Sequence, residues 1–155
     1  MKRLAAFKPD VLFDLVTAES SKMKFLGDDG KVYVVRTKSS RYFVFHANQS
    51  CIICGMKGTK MILEQPLHQE DTKAAHFNLY GEDEYGQLIM LTKDHILPSS
   101  KGGKDRIENY QTLCINCNGL KGDRNIPNEI LIEEIRQKRA QKDLPVQPDP
   151  STVVQ

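Results

Sequence analysis

Residues 93–124 of this chain read KDHILPSSKGGKDRIENYQTLCINCNGLKGDR and contain most of its chemically informative side chains. Asp94 and His95 stand next to each other, Asn109 lies in the middle, and a Cys-x-x-Cys pair follows. A second Cys-x-x-Cys pair, Cys51-Ile-Ile-Cys54, lies upstream. The pattern predicts two separate sites, a closed site made of cysteines and an open site that contains an acid, a histidine and amide groups.

The chain has four cysteines, and they are Cys51, Cys54, Cys114 and Cys117. Structural zinc takes four ligands in a tetrahedron, so two Cys-x-x-Cys pairs would leave no position open for water. Two disulfides are an alternative, but the absence of an export signal favours a reducing compartment. Four unrelated core cysteines, and ligation by His46 or His76, are further alternatives. We predict a structural Zn²⁺ site.

Length and composition favour one compact intracellular protein. The chain has 155 residues, of which 39% are hydrophobic and 27% are charged. That length suits one domain with a modest core. No apolar run approaches the ~20 residues of a membrane span, and the N-terminus lacks a signal-peptide core. We therefore expect a cytoplasmic protein with no membrane partner.

The net charge of +2 is unevenly distributed along the chain. Residues 1–60 carry +6, residues 61–92 carry −5 and residues 93–124 carry +2. Such segregation is compatible with a local basic face that binds nucleic acid. An ordinary solvated surface explains the charges equally well.

The N-terminal third predicts a helix followed by strands. Pro9 is placed to begin a helix. Residues 24–26, 31–35 and 41–45 are rich in aromatic and β-branched side chains, and turn residues separate them. They predict a three-stranded antiparallel meander, which would support the core or provide a docking surface for DNA.

The rest of the chain predicts strands around the chemically informative segment. Residues 61–64 form a candidate strand, and residues 75–80 and 87–92 form a candidate hairpin that leads into Asp94 and His95. Residues 109–113 then return as a strand into the second cysteine pair, and a helical turn follows. Pro127 stands near the start of a final helix. The expected order around the candidate site is strand, loop, strand, helix.

Many residues of this region share one family pattern: Asp94-His95-Ile96, Pro98, Gly102-Gly103, Asn109, Leu113-Cys114, Cys117-Asn118 and Lys121-Gly122. In this pattern the chain resembles an HNH endonuclease of the ββα-metal type with flanking zinc knuckles. The resemblance runs from about Cys51 to Arg124. It implies an α+β protein with a ββα-metal (HNH/His-Me finger) core, a four-cysteine zinc site and the N-terminal antiparallel meander.

The sequence as a whole predicts a division into three segments. Residues 1–46 would form the N-terminal helix and meander, whose role the pattern does not indicate. Residues 47–140 would form the zinc-stabilised HNH nuclease domain. Residues 141–155, which contain three prolines, would form a flexible tail.

The resemblance assigns a role to each residue of the open site. His95 would be the general base that takes a proton from water, and Asn109 would steady the loop between the two strands. Asp94 and Asn118 would hold the catalytic ion, although the last position is often histidine in the family. Their hard oxygen donors favour Mg²⁺, with Mn²⁺ as a substitute. Because an ordinary histidine has a pKa of about 6.5, activity should rise between about pH 6 and 8.

The implied substrate is DNA, hydrolysed at its phosphodiester bonds. The basic residues that flank the open site, and would neutralise phosphates, are Lys101, Lys104, Arg106, Lys121 and Arg124. No base-reading motif is evident, so we expect either a modest sequence preference or specificity supplied by a protein partner. Family members occur in phages, mobile elements and host defence, so a bacterial or phage-infected cell is the expected setting. The alternative function is a noncatalytic zinc-ribbon module that binds nucleic acid or protein.

Overall fold

The computed structural model describes residues 1–17 and 21–143 and has the predicted α+β character. Its strands are β1 (Lys2–Phe7), β2 (Lys22–Leu26), β3 (Val32–Arg36), β4 (Lys60–Gln65), β5 (Ala74–Glu82), β6 (Leu88–His95) and β7 (Tyr110–Cys114). Its helices are α1 (Pro9–Val16), α2 (Ser40–Ala47), α3 (Ile115–Lys121) and α4 (Asn128–Lys142). Single 3-10 turns lie at Leu67–Gln69, Ser99–Lys101 and Ile107–Asn109. Within the described ranges, no helix combines the length and the apolar character that crossing a membrane requires.

All seven strands belong to one sheet, with β5 at its centre. On one edge β5 pairs antiparallel with β4, and β1 pairs with β4 beyond it. On the other edge β5 pairs in parallel with β3 through residues 74 and 75, and antiparallel with β6 through residues 79–82. β2 pairs with β3, and β7 pairs with β6. The N-terminal residues and the segment after Cys51 therefore share one sheet.

The predicted third strand of the meander, residues 41–45, is wrong because these residues lie in helix α2. The N-terminal hairpin has only two strands, β2 and β3, while β1 lies elsewhere in the sheet. Tyr42 and Phe45, three positions apart on one face of α2, are both buried. The Tyr42 hydroxyl accepts the backbone N–H of Phe77 at 3.0 Å, where β5 pairs with neither β3 nor β6. This packing outweighs the strand propensity of the aromatic run.

The apolar side chains form two clusters. The larger one lies between the sheet and helices α1 and α2, and its largest members include Leu12, Phe45, Phe77, Leu63 and Leu91. The smaller one surrounds the cysteines and contains Ile53, Leu113 and Leu131. α4 thus packs its buried Leu131 beside the cysteines, and it continues to Lys142. The predicted flexible tail lies outside the described residues from residue 144 onward.

Candidate active site and metal centre

The four cysteines converge, as the paired spacing predicts. The sulfur atoms of Cys51, Cys54, Cys114 and Cys117 all lie within 4.8 Å of one another. The Sγ atoms of Cys54 and Cys114 are 3.8 Å apart. Four thiolates at a Zn–S distance of about 2.3 Å in a tetrahedron would be separated by about 3.8 Å. The cluster therefore has the donors and the spacing of a zinc site.

Tight turns at both knuckles bring the sulfurs together. Gly55 has a φ of +79°, and its N–H reaches the carbonyl of Cys51 at 2.9 Å. This left-handed conformation is the one that glycine adopts without strain. In the second knuckle Cys114 caps α3, because its Sγ accepts the backbone N–H of Cys117 at 3.4 Å. The Ile52 N–H, bonded to the Thr112 carbonyl at 3.0 Å, ties the first knuckle to β7.

Hydrogen bonds among the thiols shift their ionisation. Hydrogen bonding to Cys114, and then to Cys117, lowers the pKa of Cys51 and lowers the pKa of Cys54 to about 6. Hydrogen bonding to Cys114 and to the other two cysteines raises the pKa of Cys117. A metal ion takes up thiolates, so its binding would release the protons that these thiols still hold.

The open site lies where β6 ends and β7 begins. In the antiparallel pair Asp94 is opposite Gln111, and His95 is opposite Tyr110. Because successive side chains of a strand point to opposite faces, Asp94 and His95 leave β6 on different sides. α3 packs on the side of Asp94, as its bonds to that face show. Both residues stand at the end of the strand, because β6 ends at His95.

Asp94 is held by buried donors. Its Oδ2 accepts hydrogen bonds from Lys121 Nζ at 2.6 Å and from Gln111 Nε2 at 3.0 Å. Lys121 is only 1% exposed and also donates to the backbone carbonyls of His95 and Ile96. The predicted contact of Lys121 with phosphate is therefore wrong, because its ammonium is buried and already bonded to three acceptors. It is instead the buried counter-ion of Asp94.

Asn118 lies on the same side of β6 as Asp94. Its Nδ2 donates to Thr92 Oγ1 at 3.0 Å, and the Thr92 hydroxyl in turn donates to the Leu113 carbonyl at 2.9 Å. Thr92 and Asp94 are two positions apart on one strand and so share a face. Because its amide N–H₂ is bonded to Thr92, the carbonyl oxygen of Asn118 is the atom that could ligate a cation.

His95 contacts a carboxylate that sequence reasoning missed. Its Nε2 is 2.7 Å from Oδ1 of Asp105, and its ring centroid is 5.0 Å from that of Tyr110. The hydrogen bond to His95, and then a bond to Tyr110, lowers the pKa of Asp105. Asp105 lies ten residues after His95 in an irregular loop, so no spacing rule indicates the contact. Tyr110 could have been identified from the sequence, because it is the first residue of the strand that pairs with β6.

Asn109 holds the loop that carries Asp105. Its Oδ1 accepts the Leu97 N–H at 2.9 Å, and its Nδ2 donates to the carbonyls of Leu97 and Lys104 at 3.1 and 3.0 Å. The loop is tight, because a Cβ on Gly103 would lie 1.8 Å from the Leu97 carbonyl oxygen. Asn109 thereby fixes the residue that precedes Asp105.

Strand, loop, strand and helix, with an acid and a histidine at the end of the first strand, form one continuous segment. Residues 82–124 match the family model of HNH endonucleases. This HNH segment, residues 82–124, is just over a quarter of the chain, and the match confirms the resemblance seen in the sequence. The comparisons with curated proteins and with solved structures gave no match.

The remaining basic residues of the HNH segment differ in their surroundings. Lys101, Lys104 and Arg106 are exposed and form no ion pair with any residue of ranges 1–17 and 21–143. Arg124 binds Glu134 through two hydrogen bonds of 3.0 and 2.9 Å. Arg124 is thus exposed but paired, which leaves the three loop cations as the members of the predicted set that have no ion pair among the described residues.

Proposed function

We propose that this protein is a metal-dependent HNH endonuclease that hydrolyses phosphodiester bonds of DNA. The observation that carries the proposal is the HNH segment's strand end, where Asp94 and Asn118 face one side and His95 faces the other beside Asp105. The order β6, β7, α3 supports a ββα-metal core for this segment. The cysteine cluster would provide structural zinc, which with no open position carries no chemistry.

His95 would act as the general base. The Asp105 carboxylate, hydrogen-bonded to Nε2 of His95, favours the tautomer that carries its proton on Nε2. The other ring nitrogen, Nδ1, is then free to accept a proton from water. The water oxygen then bonds to phosphorus, and the bond from phosphorus to the leaving oxygen breaks. Asp105 would stabilise the imidazolium that forms, and Asn109 would position Asp105 through the Lys104 carbonyl.

Asp94 and Asn118 would hold the catalytic divalent ion. A carboxylate and an amide carbonyl are hard oxygen donors, so they suit Mg²⁺, with Mn²⁺ as a substitute. When bound, such an ion supplies positive charge that neutralises the phosphate and the leaving oxygen. Lys121 would orient the Asp94 carboxylate through Oδ2 and leave Oδ1 for the ion. The exposed Lys101, Lys104 and Arg106 would contact the phosphate backbone.

Supercoiled-plasmid nicking with Mg²⁺ tests the base. His95→Ala should lower the rate by about 10²- to 10⁴-fold, the usual contribution of a general base. Asp105→Ala should lower it less, by about 10- to 100-fold, as residues that orient a catalytic group do. His68→Ala is the matched control, because His68 is an exposed loop histidine. Zinc content, measured on the same samples, should stay unchanged in all three variants.

Two results would contradict the proposal. Equal rates for the wild type and His95→Ala would remove His95 from the reaction. No cutting by the wild type with either Mg²⁺ or Mn²⁺, together with retained zinc and DNA binding, would support the noncatalytic zinc-ribbon module instead.

A further inference from the structure

Two cations from outside the predicted contact set lie on the His95 side of β6. Lys93 is two positions before His95, so their side chains share a face about 7 Å apart along the strand. The Nζ of Lys93 is 2.7 Å from the Ser40 hydroxyl and 4.2 Å from the centroid of the Tyr110 ring. Since Tyr110 also contacts His95, these side chains form one continuous surface.

Arg41 brings a second positive charge to this surface from helix α2. Arg41 directly follows Ser40 in α2, and the Ser40 hydroxyl lies 2.7 Å from the Nζ of Lys93. Arg41 and Lys93 form no ion pair within the described part of the chain, and both are half-buried. Two like charges that adjoin on this surface through Ser40, with the exposed Asp105 beside His95 as the acid that opposes them, favour an anionic ligand.

The positions of the other cations indicate an extended anion. Lys104 and Arg106 flank Asp105, which contacts His95, so further cations adjoin the histidine. The acidic residues Glu82, Asp83 and Glu84 lie at the opposite end of β6, about 23 Å away along the strand. These acidic residues line a groove of about 750 Å³ together with Arg139 and Lys142 of α4. Their negative charges are opposed there by the positive charges of these two residues.

We infer that Arg41 and Lys93 bind DNA backbone phosphates next to the cleavage site, which makes α2 of the N-terminal segment part of the substrate site. The inference rests on the proposed nuclease function only where it places these phosphates next to the cleavage site. The binding of DNA by Arg41 and Lys93 does not depend on that function. Lys93 suits the role because an ammonium has three protons and Ser40 takes only one of them. Its contacts with Ser40 and Tyr110 also order the side chain before DNA binds, which reduces the entropic cost of binding.

DNA binding without added Mg²⁺ tests the inference independently of cleavage. Fluorescence anisotropy with a labelled duplex is measured over a series of salt concentrations for Arg41→Met and Lys93→Met, which retain apolar stems. Each variant should bind several-fold more weakly, and the slope of log K against log salt should fall by about 0.9 for each phosphate that is no longer neutralised. Lys24→Met, an exposed lysine of the outermost strand β2, is the control, and Arg41→Lys should restore the slope.

The outcomes separate this inference from the nuclease proposal. Unchanged slopes in both variants, with thermal melting that confirms folding, would overturn the inference even if the wild type nicks plasmid. Loss of binding in both variants alongside a wild type that never cuts would support the inference and contradict the nuclease. A wild type that does not bind the duplex at low salt would overturn the inference as well.

Discussion

Lys121 and Arg124 show how strongly the surroundings of a residue decide its role. Both are cations at the end of the HNH segment, and the sequence predicts that both meet phosphate. Lys121 is buried against Asp94, whereas Arg124 is exposed and bonded to Glu134. Removing one partner of a buried ion pair leaves an uncompensated charge, while an exposed pair is largely screened by solvent.

Lys121→Ala should therefore destabilise the protein far more than Arg124→Ala. A buried pair broken on one side costs about 3–5 kcal/mol, which would lower the melting temperature by roughly 6–20 °C for a chain of this size. Differential scanning calorimetry of the two variants measures the difference. Equal melting temperatures would show that Lys121 is not the buried counter-ion of Asp94.

At the scale of elements, Cys114 joins three parts of the structure. It ends β7, caps α3 and provides one sulfur of the cluster that includes the Cys51 knuckle. The apolar residues around that cluster, among them Leu131 of α4, pack where the knuckles meet. Metal binding and the folding of this region should thus be one process.

Cys114→Ala should abolish zinc binding and unfold the region around α3 and α4. Because metal binding energy is folding energy in such sites, the variant should lose melting cooperativity as well as zinc. Zinc content by elemental analysis and the melting transition are measured together. Ile115→Ala, an exposed neighbour, should retain both. A Cys114→Ala protein of native stability would refute the structural role of the metal.

At the scale of the whole molecule, the N-terminal residues complete the core that supports the HNH segment. Leu12, Phe13, Tyr42 and Phe45 are buried in the same cluster as Phe77 and Leu91 of β5 and β6. β1 also covers the edge of β4, which would otherwise present unpaired backbone groups. The strand end that carries Asp94 and His95 is thus supported by residues outside the HNH segment.

A fragment of residues 47–143 should not fold by itself, even with zinc. It would lack the apolar side chains of α1 and α2 and would expose both Phe77 and the edge of β4. Near-ultraviolet circular dichroism and amide spectra should show a loosely packed or aggregated state, in contrast to the full chain. A fragment with a native-like, well-dispersed spectrum would show that residues 47–143 form an independent domain.

Local rules account for the parts of the fold that the sequence predicts well. The two Cys-x-x-Cys pairs indicate their cluster, because two thiolates at that spacing must share a turn. Pro9 and Pro127 mark helix starts, and the two apolar runs on either side of residues 81–86 indicate the hairpin of β5 and β6. The prediction for residues 41–45 is wrong, because Tyr42 and Phe45 pack as one helical face against residues such as Phe77, which is more than thirty positions away in the sequence.

The sequence by itself determined the family of the HNH segment, the four sulfur donors and the order of strand, loop, strand and helix, since these follow from spacing over a few residues. Only the tertiary structure decided which cations are buried or paired with an acid. Lys121 is buried against Asp94, and Arg124 is paired with Glu134. Arg41 of helix α2 lies near Lys93 of β6, although the two are far apart in the sequence. The physical reason is that burial and charge partners depend on contacts between residues far apart in the chain, about which local pattern carries no information.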